Sequence, residues 1–595
     1  MANLMTSFNA GVSGLRSAQA ALNTTSHNLA NAQTTGYVRQ QVVITDSFYR
    51  NSLGPSDNLL QVGTGTNIIK IRQIRNTFLD AQYRLQVGRQ SFYEINRQTT
   101  LEVEDLLGEI SGAEFSASIG DLKTALSDYA KNPENLVYKE QLVSMAAQFM
   151  EFAQTVQTQL TTYQTSLNQE IKEQVDNINS IVSEIKDLNK LIRKYEATGD
   201  SANDYRDKRN ELLDELSTYI NFETNEEIDG TITIFSEGNY LLDSANQYFL
   251  GVEYESATSK LLKPVWQNGG DFFRSGSLAF SSEKKTDIGS LRGILVARGN
   301  RATNYSDMPV KPNEDDYRNE DGILDSKAYI GAMNAYSKQV EIYNDSVGAS
   351  VIMRVQAQLD MLVHSVVTLV NDAFSPTKEL TLADGSTIRV LDEEKALIGD
   401  DEYNTMGTEL FSRRSRERYT KTSVEIMNED GSVEKIDVYK YNEEDPSDPY
   451  SLYTISQLVI NPTVLKDAST LPSKYNNSSD EHDSYAYNVF ESLPDSFNDK
   501  IGPLTPGSLT TYNVNDFYRA MVTELSTQGN IWNGIIENQE NTVTTLENER
   551  QNVMGVSSEE ELSDLIKFQR CYDASSRYIT TVAEMLEYII ERLGG

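Results

Sequence analysis

The stretch LNQEIKEQVDNINSIVSEIKDLNKLIRKY, residues 167–195, carries the clearest hydrophobic seam in the chain. Ile171, Ile178, Ile185 and Ile192 occupy one heptad position. Leu167, Ile181, Leu188 and Tyr195 occupy the other, with Gln174 as its one polar break. Two apolar positions in every seven are the period of a helix that packs along its whole length against other helices. The pattern runs back to Tyr138, and at ~1.5 Å per residue the helix Tyr138 to Tyr195 is roughly 85 Å long. A rod of that length sets the fold class: mainly α, built on long antiparallel helices.

Outward from this rod, helical periodicity covers Thr77 to Leu107, Ser116 to Tyr129 and Asp204 to Tyr219, then resumes near Ala335 and continues to Phe374. A small β excursion near 222–275 begins with Phe222 to Ile228 and Thr231 to Phe235 around Asp229-Gly230, a pair that favours a two-residue hairpin. After Pro376 the period changes to two. Leu380-Thr-Leu382 and Ile388-Arg-Val390 flank Asp384-Gly385; Val424-Glu-Ile426 and Ile436-Asp-Val438 flank Asp430-Gly431. These alternations predict a β-rich inserted domain over 375–505, facing outward. Helix returns at Val514, breaks near Gly555 and runs to Leu593, with Ser557 or Ser558 and Glu560 or Glu561 forming a capping box. The expected units are 1–76, 77–374, 375–505, 506–555 and 556–595.

The two ends repeat the seam in weaker form. Phe8, Leu15, Leu22 and Leu29 recur every seven residues, as do Leu565, Tyr572, Ile579, Leu586 and Leu593. Gln19 and Ser26 interrupt the first stripe; Gln569 and Ser576 interrupt the second. Ala10, Gly11, Ala18 and Ala21 give the first helix a face that a neighbouring helix can approach closely. Between the helix and Phe78, short alternating runs such as Val42-Val43-Ile44 and Ile68-Ile69-Lys70-Ile71 are punctuated by Gly54-Pro55 and Gly63-Thr64-Gly65, which reads as extended structure. Such narrow, interrupted stripes are marginal alone and firm only against partners. They predict assembly through the terminal helices in preference to a private core.

Composition narrows the function classes. The formal charge of −36 is uneven: residues 1–100 carry nine Lys/Arg and four Asp/Glu, so the rest of the chain is strongly acidic. An acidic body argues against nucleic acid and anionic membrane as partners. No apolar run is long enough to span a bilayer, and Met1 to Asn31 lacks the basic and apolar regions of a secretory signal. The single cysteine, Cys571, excludes an intrachain disulfide and a thiolate cluster, and His27, His364 and His482 are scattered. Gly63-Thr-Gly65 lacks the rest of a phosphate loop, and Gly11-Val-Ser13-Gly14 lacks the spacing of a nucleophile elbow. Arg413, Arg414, Arg416 and Arg418 read as an ion-pairing segment, and the acidic run Glu314, Asp315, Asp316, Glu320, Asp321 and Asp325 as a solvated loop. No catalytic site, cofactor site or metal site is expected.

SGLRSAQAALNTTSHNLANAQTTGYVRQ, residues 13–40, resembles the N-terminal signature of bacterial flagellar axial proteins, which rod, hook and hook-associated branches share. Asn28, Asn31, Thr34, Gly36 and Tyr37 match its pattern, while Thr35 and Val38 stand where proline and serine are common. Arg39-Gln40 is similar to the hook-associated branch. At the other end, VSSEEEL (556–562), LIKFQRCY (565–572) and ASSRY (574–578) resemble the C-terminal helix of the same family. EATGDSANDYRDKR (196–209), LLDEL (212–216), Leu359-Asp360, Val370-Asn371 and VINP (459–462) resemble interior blocks of the hook-associated branch.

The resemblance implies a structural subunit of the extracellular flagellum, forming a ring or tube from copies of itself between hook and filament. Its implied neighbours are the hook protein and a second hook-associated junction protein. It also implies export through the flagellar type III apparatus without a cleaved signal, with an export chaperone on the C-terminal helix around Leu586 and Leu593. Other readings are a filament-side junction protein, a hook protein with an enlarged insert, or a surface adhesin presenting the β-rich insert.

Overall fold

The computed structural model describes residues 2–34, 36–53, 59–107, 112–257, 259–319, 322–427, 432–476 and 485–593. The rod is α4 of a nested helical plan. Helices α1 (Ala2–Ala30), α2 (Thr77–Leu107), α3 (Gly112–Lys131), α4 (Leu136–Glu196) and α5 (Asn203–Tyr219) follow the bounds that periodicity predicts to within a few residues. Ile171, Ile178, Ile185 and Ile192 are all fully buried, the first three in the main core, so this seam is satisfied inside the chain. Each such side chain contributes roughly 1.5–3 kcal/mol by leaving water. The polar break is also used: the amide oxygen of Gln174 accepts a hydrogen bond from the Ser290 hydroxyl at 3.0 Å.

Helix α4 packs against α3, α5, α6 (Ser290–Arg298) and the later helix α8 (Val351–Phe374). The excursion after α5 is a three-stranded antiparallel sheet, β5 (Glu223–Glu226), β6 (Ile232–Ser236) and β7 (Asn239–Leu242), then a separate hairpin, β8 (Leu250–Tyr254) with β9 (Leu262–Trp266). Helix α6 went unrecognised in the pattern because nearly every side chain on it is buried, which erases the amphipathic period.

The helix expected from Ala335 to Phe374 is two helices, α7 (Ser326–Asp345) and α8. Between them the Gly348 N–H bonds back to the Tyr343 carbonyl, and Val347 turns into the core. The Ser350 hydroxyl oxygen then caps α8 by accepting the Met353 N–H at 3.4 Å. The side-chain cap competes with helix continuation, a local preference that apolar periodicity does not register.

Beyond α8, the strands Thr377–Thr381, Thr387–Leu391, Val433–Tyr441 and Tyr419–Met427 form, in that order, a four-stranded antiparallel sheet. Val424 faces Ile436 as the alternation predicts. Gly385 takes φ of +82°, which the first turn requires; the Asp430-Gly431 turn lies outside the described residues. The rest of this region, with short helices α9 (Pro462–Lys466) and α10 (Tyr487–Ser496), contributes Phe411, Leu458 and Phe490 to the same core as α4.

Helices α11 (Val514–Met554) and α12 (Ser558–Leu593) close the plan. Helix α11 lies antiparallel to α2. The Tyr518 hydroxyl bonds the Leu107 carbonyl at 2.7 Å, the Tyr93 and Trp532 rings sit 5.6 Å apart, and Arg550 reaches Asp80 at 3.0 Å. The contacts pair the start of one helix with the end of the other. Helix α12 then lies against α1, so the first and last helices form the outermost pair.

Candidate assembly interface

The α1–α12 pair is small on one side and large on the other. The buried side of α1 consists of Gly11, Ser17, Ala18, Ala21, Thr24, Thr25 and Asn28. A Cβ placed on Gly11 would come within 2.9 Å of both Ile579 Cγ1 and Tyr578 Cδ1, and one on Gly14 within 3.2 Å of the Ser575 hydroxyl. The helices are antiparallel, with Gly11 beside Tyr578, Gly14 beside Ser575 and Asn28 beside Glu561. The predicted seam residues Phe8, Leu15, Leu22, Leu29, Leu565, Tyr572, Ile579 and Leu586 are all half-buried; the Leu593 side chain lies outside the described residues. One chain therefore covers these stripes only in part. Ile566, Tyr578, Met585, Tyr588 and Ile590 remain largely exposed on α12, as does Met5 on α1.

The base of the pair is a clasp made by the signature residues. Asn28 is 1% exposed, and its amide makes four hydrogen bonds. Its oxygen accepts from the Tyr37 hydroxyl (2.8 Å) and the Gln40 N–H (3.0 Å). Its nitrogen donates to the Gln40 carbonyl (2.9 Å) and to Glu561 Oε2 (3.1 Å). Arg39 completes the lock on α12, donating to Glu561 Oε1 (2.6 Å) and Glu560 (3.1 Å) with Asp564 at 3.8 Å, while its N–H bonds the Met554 carbonyl. Gly36 takes φ of +78° to reverse the chain. Asn31 bonds back to the His27 carbonyl and accepts from Thr34, which finishes α1.

Helix α5 holds this turn to the body. Asp207 accepts from the Val38 N–H (3.2 Å) and Gln73 (2.5 Å), and Gln40 bonds both Asp204 and Asn203. Burial pushes the Asp207 carboxyl up to about 7, against the pull of the Val38 N–H and Arg75. The Tyr37 hydroxyl is raised as well, by burial first and then by Asp204, Asp207 and Glu561.

The extended segment after the clasp is a folded-back arm. Strand β1 (Gln40–Asp46) pairs with β4 (Thr66–Gln73), and β2 (Tyr49–Leu53) with β3 (Leu59–Gly63). The arm lies on α1: Ser13 Oγ accepts the Thr66 N–H at 3.0 Å, and the Ser17 and Thr66 hydroxyls are 2.9 Å apart. Gly65, at φ +118°, fits because a Cβ there would strike Ser13 and the Ala10 backbone. Gly63-Thr64-Gly65 is thus a packed turn.

Other candidate chemistry resolves into structure. Arg413 and Arg418 are buried, Arg418 on Asp372 (2.5 Å), and Arg416 pairs with Asp448 at 3.2 Å. Asp315 pairs with Arg318 at 3.3 Å, and Asp325 caps α7; Glu320 and Asp321 lie outside the described residues. Among the described residues no group of three or more His, Cys, Asp or Glu is placed to hold a metal, and no helix is long and apolar enough to cross a membrane.

The sequence missed the roles of Glu561 and Asp207. Ser557 does cap α12, with its hydroxyl on the Glu560 N–H at 3.4 Å. The two carboxylates expected to return to that cap are instead turned to Arg39. Nothing local to residues 557–561 distinguishes those outcomes, because the competing partner is over 500 residues away in the chain.

Comparison with known proteins locates the same three regions. The model for the flagellar hook-associated protein FlgK helical domain matches residues 100–375. That for the flagellar basal body rod FlgEFG protein C-terminal matches 549–592, and that for the flagella basal body rod protein matches 8–37. Over nearly its whole length the chain is similar to flagellar hook-associated proteins. It is similar to flagellar hook-associated protein 1 of Bacillus subtilis (strain 168), 23% identical over 98% of this chain and 96% of that protein. It is also similar to proteins of that name from Salmonella typhimurium, 23% identical over 98% and 99%, and Escherichia coli K12, 24% identical over 98% of each. A solved structure described as the flagellar hook junction protein FlgK from Burkholderia pseudomallei aligns at a TM-score of 0.49 and 12% identity, over 80% of this chain and all of that one. The two short family matches fall on α1 and α12, the helices joined by the clasp.

Proposed function

We propose that this protein is a non-enzymatic structural adaptor of the bacterial flagellum that joins hook to filament as a ring or tube of its own copies. The observation that carries the reading is the outermost helix pair: locked at its base by Asn28, Arg39 and Glu561, yet with its seams half-buried and apolar side chains exposed along α12. The family-model match and the full-length relatives agree with it, and the relatives' name supplies the place in the flagellum. In this reading units 1–76 and 556–595 assemble, 77–374 and 506–555 carry load as a bundle, and 375–505 fills the outer surface. Hook protein binds on one side and a second hook-associated junction protein on the other. The chain leaves through the flagellar export route with a chaperone on the C-terminal helix.

Deleting the gene should abolish motility while hooks still form; normal motility in the deletion strain would sink the assignment. Ile579→Asp, placed in the seam against Gly11, should block filament growth while the secreted protein keeps the helical content of its bundle. In the purified monomer, proteolysis should remove about 1–35 and 557–595 first.

A further inference from the structure

The terminal helix pair and its arm ride on the rest of the chain without an apolar joint. Among the described residues, no member of the three hydrophobic clusters comes from 1–76 or 556–595. Helix α1 packs chiefly on α12, β1 and β4, and α12 chiefly on α1. Val38 is buried at the crossing, yet it too stands outside those clusters. The ties to the body are polar. Gln40 and Gln73 bond Asn203, Asp204 and Asp207 in the first turns of α5, and Asp207 also accepts the Val38 N–H. Arg75 pairs with Asp80 at 2.5 Å, and the Arg39 N–H bonds the Met554 carbonyl. A polar interface of this kind leaves two packed bodies free to turn on one another, whereas a shared apolar core fixes them. Two of the chain crossings lie beside glycines: Gly36, at φ +78°, and Gly555, where a Cβ would strike the Gln551 carbonyl.

Beside this joint the structure holds an open cleft of about 1070 Å³. One wall is the arm strand β4 from Lys70 to Gln73. The other is formed by the start of α2, by α5 with the turn before it, and by β5. Lys70 and Arg72 are exposed on the arm wall, and neither has an ion-pair partner among the described residues. On the body wall most charges are already matched: Arg206 holds Glu196 and Glu226, and Arg84 holds Asp214. The side chains left without an ion pair there are Asp200, Glu223 and Lys285. The free charge is therefore positive on the arm and net negative across the cleft. Opposite charges at such a gap attract over about 8 Å at physiological salt, and less at high salt.

We propose that the terminal pair and its arm turn as one body about the Gln40 and Gln73 contacts on α5, and that this turn closes the cleft by bringing Lys70 and Arg72 onto Asp200 and Glu223. The α1–α12 pair thereby has two orientations on the bundle, open as in the structure and closed, and the charges of the cleft select between them. The clasp travels with the pair, because Asn28, Arg39, Gln40 and Glu561 all lie on its side of the joint. The two orientations hold whatever the pair assembles into.

Two spin labels read the cleft directly. In the full chain with Cys571→Ser, Asn67→Cys on β4 and Asn225→Cys on β5 put one label on each side, both at exposed positions. Double electron–electron resonance at low salt should resolve a shorter and a longer distance. Salt at 1 M, or Lys70→Glu with Arg72→Glu, should lower the shorter population at least threefold. Adding Asp200→Lys and Glu223→Lys to the reversed arm should restore it. A reference pair within the body, Glu184→Cys on α4 with Asn225→Cys, should keep one narrow distance under every condition. A single narrow distance across the cleft, or two whose proportions ignore both salt and charge reversal, overturns the proposal. Equal broadening in the reference pair overturns it as well, since the motion would then belong to β5.

Discussion

Asn28→Ala tests the clasp most directly. Asn28 makes four hydrogen bonds within 3.1 Å, and its removal leaves the Gln40 N–H and carbonyl, the Tyr37 hydroxyl and one oxygen of Glu561 without that partner. A buried hydrogen bond contributes about 1 kcal/mol net, and a stranded buried group costs about 1–3 kcal/mol. Allowing for water entry, the loss comes to about 4 kcal/mol, on the order of a thousandfold in the equilibrium for opening the terminal pair. The effect should be local, because the Asn28 partners all lie in the clasp and α4 takes no part. Hydrogen exchange followed peptide by peptide on the full chain reads this out. Segments 2–30, 40–49 and 558–592 should lose protection by that factor, or become fully open, while 167–195 keeps its protection. A loss under fivefold in the terminal segments would refute the clasp as the anchor. Equal loss in 167–195 would refute its independence from the bundle. Asn28→Asp sharpens the point: it keeps the size but sets a carboxylate beside Glu561, and should open the pair at pH 7 and partly recover at pH 5.

Asp207 predicts a pH dependence of definite sign. Its native pKa of about 7 lies above the unfolded value, so its contribution to stability is present in full below about pH 4 and is lost as pH rises through 7. Glu409, raised to about 7, and Asp360, raised to about 6, both by burial, titrate with the same sign in the same window, so comparison with Asp207→Asn isolates the site. Wild type should lose about 1.4 kcal/mol relative to Asp207→Asn between pH 6 and 8 in urea melts; a constant difference would show that Asp207 is ionised throughout. Gly11→Leu should splay α1 from Ile579 and Tyr578, destabilising the pair by about 1–3 kcal/mol and eliminating filaments without a change in the main unfolding transition. Gly65→Ala adds a Cβ at positive φ against Ser13 and Ala10, and limited proteolysis within 40–73 should accelerate at least tenfold.

The helical plan could be read from the chain because each long helix carries its own record of burial. Ile171 to Ile192 recur at seven-residue steps, and the end of α5 at Tyr219 and the break at Gly555 were readable in the same way. The exceptions have physical causes. Helix α6 is buried all round and loses its period, and Ser350 ends a helical run by capping the next one. The close face of α1 was visible as small residues at Gly11, Ala18 and Ala21. The terminal stripes were expected to need other copies, and one chain does pair them, though only to half-burial. The resemblance picked out Asn28, Tyr37, Arg39 and Gln40 without saying what they hold. Their partners Glu561, Asp207 and Asn203 are set by tertiary distance, which no local pattern encodes.

The bond between Asn28 and Glu561 joins residues 533 positions apart. Among the described residues the long helix that α1 packs against is α12. A product truncated anywhere before residue 557 has an α1 with no α12 and an Arg39 with none of its three carboxylates. Under the proposed function, synthesis of α12 is thereby coupled to competence for assembly. In the proposed assembly, a molecule lacking α12 lacks the paired surface through which it would join, so the fold itself would refuse it.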